Sequence, residues 1–471
     1  MIKLRKKNLI SLVSVLLVII AIAFYQLRMK EAVVNIKTDD ADAIELLSTE
    51  EGMLTIWWDE GYVEEEKTFF EKIVSDWEKE NGKKIQLVFF EQEKLIEQTK
   101  KAIESGNTPD IAVDYSRLVP HLAWKDKLKD VSEIIKPIES SFPTSVLKYS
   151  YQYNQVKNQK SYYAVPIYQE GIYLNYRQDL LEKLGYSAED IPQNWNNFWQ
   201  FWITVQQQLK SQQEEVFGLG FSTSPYATDT FLFFEYILEA YNVKILNEAG
   251  ELLVESAETR QGIINVLKWW TELYKNNYIP PAAVAWENID NNYSLYNRII
   301  ALTPNPSLSI PAARAQESDV YLHQLGTVEF PRKPNGEPMS YLTVVRQAVV
   351  FSDRNFEDAK SFLSYLIQPV ILINYINATG GRFFPVNKSN WDDPFWTNPE
   401  DPHLGKVRKM LTQSPTRAHY FSDNPSYMEV FQANVWGQAL NRIILDGISP
   451  EESADEAIAQ IKQIFENGTR K

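Results

Sequence analysis

Carboxylates, an arginine and aromatic rings stand at the ends of three short apolar runs. Leu54-Thr55-Ile56-Trp57-Trp58 leads into Asp59-Glu60, the run from Ile85 to Phe90 into Glu91, and Ile111-Ala112-Val113 into Asp114-Tyr115, with Arg117 close behind. Planar polar groups that donate and accept hydrogen bonds, beside aromatic faces that meet C–H surfaces, are what a hydroxyl-covered ligand such as a sugar requires. The same carboxylates leave room for a cationic ligand such as a polyamine, and a pair of them could act as the acid and base of a glycosidase. Nothing among the 62 acidic residues singles out such a pair. The chain has no cysteine, which removes disulfides, thiolate metal sites, a thiol nucleophile and a lipid-modified N-terminal Cys. His121, His323, His403 and His419 are scattered, with no zinc spacing. Neither a Gly-x-Ser-x-Gly elbow nor a Gly-x-x-x-x-Gly-Lys phosphate loop occurs. No catalytic residue, metal site or cofactor is expected.

The elements must bring these groups together. Gly106-Asn107 ends a helix from Leu95 to Ser105, since glycine tolerates positive φ. Thr108-Pro109 then imposes extended backbone, and Ile111-Ala112-Val113 reads as a buried parallel strand. Phe69, Phe70, Ile73, Val74 and Trp77 recur at helical spacing as far as Asn81-Gly82. Strand, helix, strand, helix, strand makes a parallel sheet with right-handed crossovers. The carboxyl ends of its strands, where ligands bind in open α/β sheets, bring Trp58, Asp59, Glu60, Glu91, Asp114 and Tyr115 to one rim. Alternation sets Trp57 and Trp58 on opposite faces, and Trp58 is taken as the one nearer the ligand. Asp59 and Glu60 have a blander use as caps of the following helix, and Glu91 one as a solvated loop carboxylate.

Farther on, Lys160 to Pro166 reads as a strand leaving one lobe and Gln169 to Arg177 as a strand entering another. A short helix from Asp179 to Leu184 ends at Gly185. A longer one, capped around Pro192 to Phe198, runs through Leu209. Phe217 to Phe221 is a strand before the loop Ser222 to Tyr226, and helices cover roughly Asp229 to Tyr241 and Thr259 to Lys275. Ile299 to Thr303 is a strand whose loop holds Asn305, Ser340 to Phe351 a strand region, and Asn355 to Leu366 a helix. At 471 residues the chain is too long for one ordinary core, so two or more lobes are expected. A net charge of −15 argues against a nucleic-acid partner.

Lys3, Arg5, Lys6 and Lys7 precede an apolar run from Leu9 to Tyr25. A basic flank before an apolar span is the pattern of export with the N-terminus kept inside. Ala21-Ile22-Ala23 offers a cleavage site, while Phe24, Tyr25, Arg28 and Lys30 favour retention as an interfacial anchor. Residues 1–25 are thus read as a signal-anchor helix and 26–51, polar and acidic, as a tether. Either way the body lies outside the cytoplasm.

Over residues 52–465 the chain resembles the extracytoplasmic solute-binding proteins of the family 1 type, the maltodextrin-binding group that serves ABC importers. The matching pieces begin with the Leu54 to Trp57 strand and Phe70 to Glu78 before Gly82. They continue through Gly106-Asn107-Thr108-Pro109-Asp110-Ile111, Tyr163-Ala164-Val165-Pro166 before Leu174-Asn175-Tyr176, Asp179-Leu180, Trp195 with Phe198, and Ile300-Ala301-Leu302-Thr303. They close with Phe356-Glu357-Asp358-Ala359-Lys360, Ala378-Thr379-Gly380 and Ser449 to Ala457. The family's lipobox Cys is missing. The resemblance implies an α/β, two-lobed periplasmic-binding-protein-like fold of the class II type with crossings near 167–169, 338–341 and 388–391. The lobes would be 52–168 plus 340–389 and 169–339 plus 390–471, closing on ligand about a three-stranded hinge. It places Asp59 and Glu60 in the first ligand loop, Asp114 and Arg117 after the third strand, and Glu170 beyond the first crossing. Tyr226 falls at a stacking position and Trp436 within a residue of another, with core packing as the plainer alternative for both. Leu308 stands where the group has a stacking Trp. Arg382 is a ligand group or a lobe-bridging salt link, and Asn305 joins the ligand set. The expected protein is a monomeric, non-catalytic receptor for a mono- or oligosaccharide, partnered by ABC permease subunits and by the membrane through its N-terminal helix. Receptors for polyamines or glycerol phosphates, an anchored glycosidase, and a surface scaffold binding protein or wall polymer are the other readings.

Overall fold

Apolar runs bounded by turn formers become the opening strands of the computed structural model, which describes residues 52–114, 118–351 and 353–468. Residues 1–51, the expected signal-anchor and tether, and Tyr115 and Arg117 lie outside the described residues. The chain divides into two compact units, 52–113 with 350–365, and 114–349 with 366–468.

In the first unit follow β1 (Leu54–Asp59), α1 (Glu64–Asn81), β2 (Ile85–Phe90), α2 (Gln92–Ser105) and β3 (Ile111–Asp114). β1 is central, parallel to β2 from Leu54↔Ile85 to Asp59↔Phe90 and to β3 through Ile56↔Ile111 and Trp57↔Ala112. Its six residues are all buried. Phe70, Ile73, Val74 and Trp77 give α1 its buried stripe. Phe70 stacks on Trp58 with centroids 4.0 Å apart, and Trp77 meets Phe362 of the helix Phe356–Leu366 edge-on. Gly82 and Gly106 end α1 and α2 at φ 66° and 77°, a conformation that a Cβ makes costly. Asp110 is fully enclosed. Its carboxylate accepts the Thr55 N–H at 2.9 Å, the Asn355 amide at 2.9 Å and the Arg354 guanidinium at 3.2 Å, tying β1 to the segment before that helix.

In the second unit follow β4 (Tyr151–Asn154), β5 (Gln159–Tyr162), β6 (Val165–Gly171), β7 (Tyr173–Arg177), β8 (Phe217–Leu219), β9 (Ile300–Asn305), β10 (Leu325–Val328), β11 (Tyr341–Val350), β12 (Phe384–Pro385) and β13 (Thr416–Ala418). β4 and β5 form a hairpin. β6 runs antiparallel to β11 and β12, and β13 lies parallel to β11. A separate sheet has the order β10-β7-β9-β8. Around these strands pack α3 (Trp195–Ser211), α4 (Thr228–Ala240), α5 (Ala257–Lys275), α6 (Val435–Asn441) and α7 (Pro450–Gly468). Asn194 caps α3 by accepting the Asn197 N–H. α4 is apolar nearly all round and correspondingly buried. It carries Glu235 and Glu239 into the interior, Glu235 to His419 and Glu239 to Lys333 (2.7 Å) and Arg417 (2.8 Å).

Two expected strands are re-divided. Lys160 to Pro166 is not one strand: β5 pairs with β4 and β6 with β11, so the chain changes partner at Tyr163-Ala164. Gln169 to Arg177 is likewise split at Ile172, whose N–H bonds the Tyr236 hydroxyl at 3.2 Å instead of a strand. The lobe boundaries expected at 168/169, 339/340 and 389/390 all lie inside the second unit, the first of them within β6. Among the described residues no single helix is long and apolar enough to cross a membrane.

Candidate functional site

In the first unit the expected carboxylates gather at the carboxyl edge of the sheet. Asp59 ends β1, and the N–H of Glu60 bonds the Phe90 carbonyl at 3.0 Å, which sets Glu60 beside the start of Glu91. Asp59 is 5% exposed, and its Oδ1 accepts the Gly61 N–H at 3.0 Å, turning the chain out of the strand. Gly61 sits at φ +84°, and a Cβ there would fall 2.6 Å from Glu66. The N-cap position of α1 is Val63, which makes no side-chain cap bond. Burial, and then repulsion from Glu91, push the Glu60 carboxyl above its ordinary value. Glu91 is exposed, as a loop carboxylate should be. Trp58 stands apart from this rim. Both Trp57 and Trp58 are covered, the first edge-on to Phe90 and the second under Phe70, because both faces of the parallel sheet are packed. Asp114 closes β3.

In the second unit Glu170, Asn305 and Arg382 come together. Glu170, near the end of β6, accepts the Arg346 guanidinium of β11 at 2.8 Å, and both side chains are almost wholly buried. Phe383 lies flat against Tyr168, with centroids 4.1 Å apart and planes 16° apart. The Arg382 guanidinium sits 4.2 Å and that of Arg346 6.0 Å from the Phe383 centroid, within reach of cation–π attraction. The loop after β9 joins on both sides: the Gly171 N–H bonds the Pro306 carbonyl and the Leu308 N–H the Arg382 carbonyl. Asn305 holds that loop by donating to Ser307 O (2.8 Å) and Ser309 Oγ (2.9 Å). The result is a carboxylate, two guanidiniums and stacked rings held by β6, β11, the turn before β12 and the loop after β9. Each of these side chains is more than nine-tenths buried, Phe383 and Tyr168 at 1% and 2% exposure, so the rings pack against the ion pair rather than standing open. Arg346 lies inside the apolar strand β11 with no turn or motif beside it, while Phe383 follows the Gly380-Gly381 turn as one more aromatic beside Arg382.

Tyr226 and Trp436 make a second pair. Tyr226 is 76% exposed at the tip of the loop before α4, its N–H held by Ser224 Oγ at 3.0 Å. Trp436 is fully enclosed and stacks on Phe234 at 4.8 Å, so packing accounts for its ring. Asn434 joins the two, donating to the carbonyls of Pro225 (2.9 Å) and Ala227 (2.8 Å) while capping α6 through the Gly437 N–H. His419 and Glu235, the one buried His–carboxylate pair seen among the described residues, are 1% and 0% exposed, out of reach of substrate.

A family model for bacterial extracellular solute-binding protein matches residues 72–405, more than half of the chain. No curated protein matches it. Among solved structures it is similar to an ABC transporter solute-binding protein from Thermotoga lettingae TMO bound with α-D-tagatose, at 20% identity and TM-score 0.71, covering 88% of this chain and 99% of that one. Maltose-bound T. maritima MalE3 is similar at 17% identity and TM-score 0.70, covering 87% and 100%. A sugar transporter from Arthrobacter chlorophenolicus A6 with bound laminaribiose is similar at 15% identity and TM-score 0.67, covering 88% and 99%. These likenesses show the fold: mixed α/β, two-lobed, of the periplasmic-binding-protein kind.

Proposed function

The chain belongs to the bacterial extracellular solute-binding proteins, and we propose that it is the receptor of an ABC importer, capturing a mono- or oligosaccharide and delivering it unchanged to the permease. The family match over residues 72–405 carries this reading. Similar structures holding tagatose, maltose and laminaribiose support a sugar as cargo. The body is extracytoplasmic, as its family is.

Asp59, Glu60, Asp114, Glu170, Tyr226, Asn305 and Arg382 are proposed as ligand contacts, together with Tyr115 and Arg117. Trp58 and Trp436 are assigned to the packing that backs them. The crossings at 167–169, 338–341 and 388–391 are proposed as hinges, 52–168 with 340–389 and 169–339 with 390–471 as lobes, and residues 1–25 as a retained anchor on a monomeric protein. A non-catalytic role is part of the reading.

The test is a thermal-shift screen of the full chain against sugars, sugar phosphates, polyamines and amino acids. A ligand that binds only the folded state, present at 100 times its Kd, adds about 2.7 kcal/mol of stability. The expected result is a rise in Tm for one sugar class, with the sugar recovered intact. A shift confined to polyamines or phosphates, or conversion of the sugar, refutes the proposal.

A further inference from the structure

The second unit carries a pocket of about 440 Å³ lined by none of the residues assigned above. Its floor follows from strand alternation. In the β4–β5 hairpin Tyr151 pairs with Tyr162 and Tyr153 with Lys160, so all four side chains project from one face. The Tyr151 and Tyr162 rings lie 4.9 Å apart, tilted by 49°, and Trp124 lies 5.5 Å from Tyr153. Tyr151 remains 44% exposed although it is a large aromatic on a paired strand. Four rings thus line one open hollow, of a volume ordinary for small-molecule sites, which run from about 300 to 1,000 Å³.

The walls are braced independently of any ligand. On the opposite face of the hairpin Gln152 donates to the Lys148 carbonyl at 2.7 Å and the Ser422 carbonyl at 3.4 Å. Asn424 donates to the Gly250 carbonyl at 3.0 Å, fixing the turn that carries Glu248 against the segment from Ser422 to Pro425. Lys148 and Asp423, both in the lining, pair with each other, so their charges offset. Glu139, Glu248 and Lys160 complete the charged lining, so the opposing charges nearly cancel. Burial and hydrogen bonding to Glu139 push the Tyr162 phenol up to about 12, which keeps it a neutral hydroxyl. Aromatic faces with near-balanced polar groups suit an uncharged, polyhydroxylated ring better than a phosphate or a polyamine.

We propose that this pocket is a second saccharide-binding site, taking a mono- or disaccharide against the Tyr151–Tyr162 and Trp124–Tyr153 faces. It stands on its own lining and does not require the receptor site to bind the same sugar.

Saturation-transfer NMR of the full chain with glucose, maltose, cellobiose and laminaribiose, and with spermidine as a charged control, tests it. Tyr151→Ala and Glu248→Gln are expected to raise the Kd of one binding event at least tenfold at unchanged Tm, while Tyr226→Ala leaves that event in place. A receptor-site failure would instead show as insensitivity to Tyr226→Ala alone. The proposal is overturned if no saccharide signal in the panel depends on Tyr151 or Glu248, or if spermidine is the ligand that does.

Discussion

His403 is enclosed in the second unit with its Nδ1 2.8 Å from the Thr327 hydroxyl and its Nε2 3.0 Å from the Tyr321 carbonyl. A carbonyl only accepts, so Nε2 carries a proton, while Nδ1 faces the Thr327 hydroxyl, which also bonds Asn175 Oδ1 at 3.2 Å. Burial lowers its pKa to about 4. The unfolded chain, with an ordinary histidine, binds a proton that the folded chain refuses between roughly pH 6.5 and 4. Stability from this residue is therefore complete above about pH 6.5 and falls as pH drops through that window, by about 3 kcal/mol in all. Urea unfolding between pH 7 and pH 4 should show the native chain losing that much more than His403→Gln; parallel losses would contradict it. Sequence reading left His403 as one of four scattered histidines, because burial comes from the helix Leu404–Gln413 and β10, some 80 positions apart in the chain. Asp110 was visible as part of a Pro-Asp signal, yet its clamp on Arg354 and Asn355 was not, since those partners lie about 245 residues away.

Elements show the same division between local and distant causes. β1, β2, and the ends of α1 and α2 at Gly82 and Gly106 were legible, because strand runs and left-handed glycines are fixed by neighbours in sequence. The breaks at Tyr163-Ala164 and Ile172 were not, because they follow from which strand β5, β6 and β7 pair with. Nor does an aromatic residue type tell a platform from a core: Trp58 and Trp436 are core, while Tyr226 is open. Asn434 was missed because it takes φ 44° without being glycine. Asparagine tolerates this region, and here its amide also joins the Tyr226 loop to the start of α6. Asn434→Ala would remove three hydrogen bonds, leave the part-buried Pro225 carbonyl without its Asn434 donor and retain the backbone strain, at a cost of about 3 kcal/mol. Asn434→Gly, relieved of strain only, should recover part of it. Denaturant midpoints that do not move for Asn434→Ala would show that the loop is held by other contacts.

For the whole molecule, the family likeness was readable because it rests on the order of many weak signals, Pro109-Asp110, Val165-Pro166 and Ser449 to Ala457 among them, rather than on any one. The pocket under Tyr151 was not, because its lining is drawn from residues 124 to 425 with no motif. Attachment is decided at this scale too. Export accounts for the basic residues Lys3 to Lys7 and the apolar run from Leu9 to Tyr25, but a cleaved leader has no need of Phe24, Tyr25, Arg28 and Lys30 in interfacial order beyond that run. On the reading that the run is retained, it holds the body at the membrane, where tethering raises its effective concentration near a permease. The full chain should therefore sediment with membranes and be released by detergent but not by high salt, whereas residues 50–471 alone stay in solution. A mature N-terminus at Phe24, with the protein free of the membrane fraction, would show instead that the run is only an export signal.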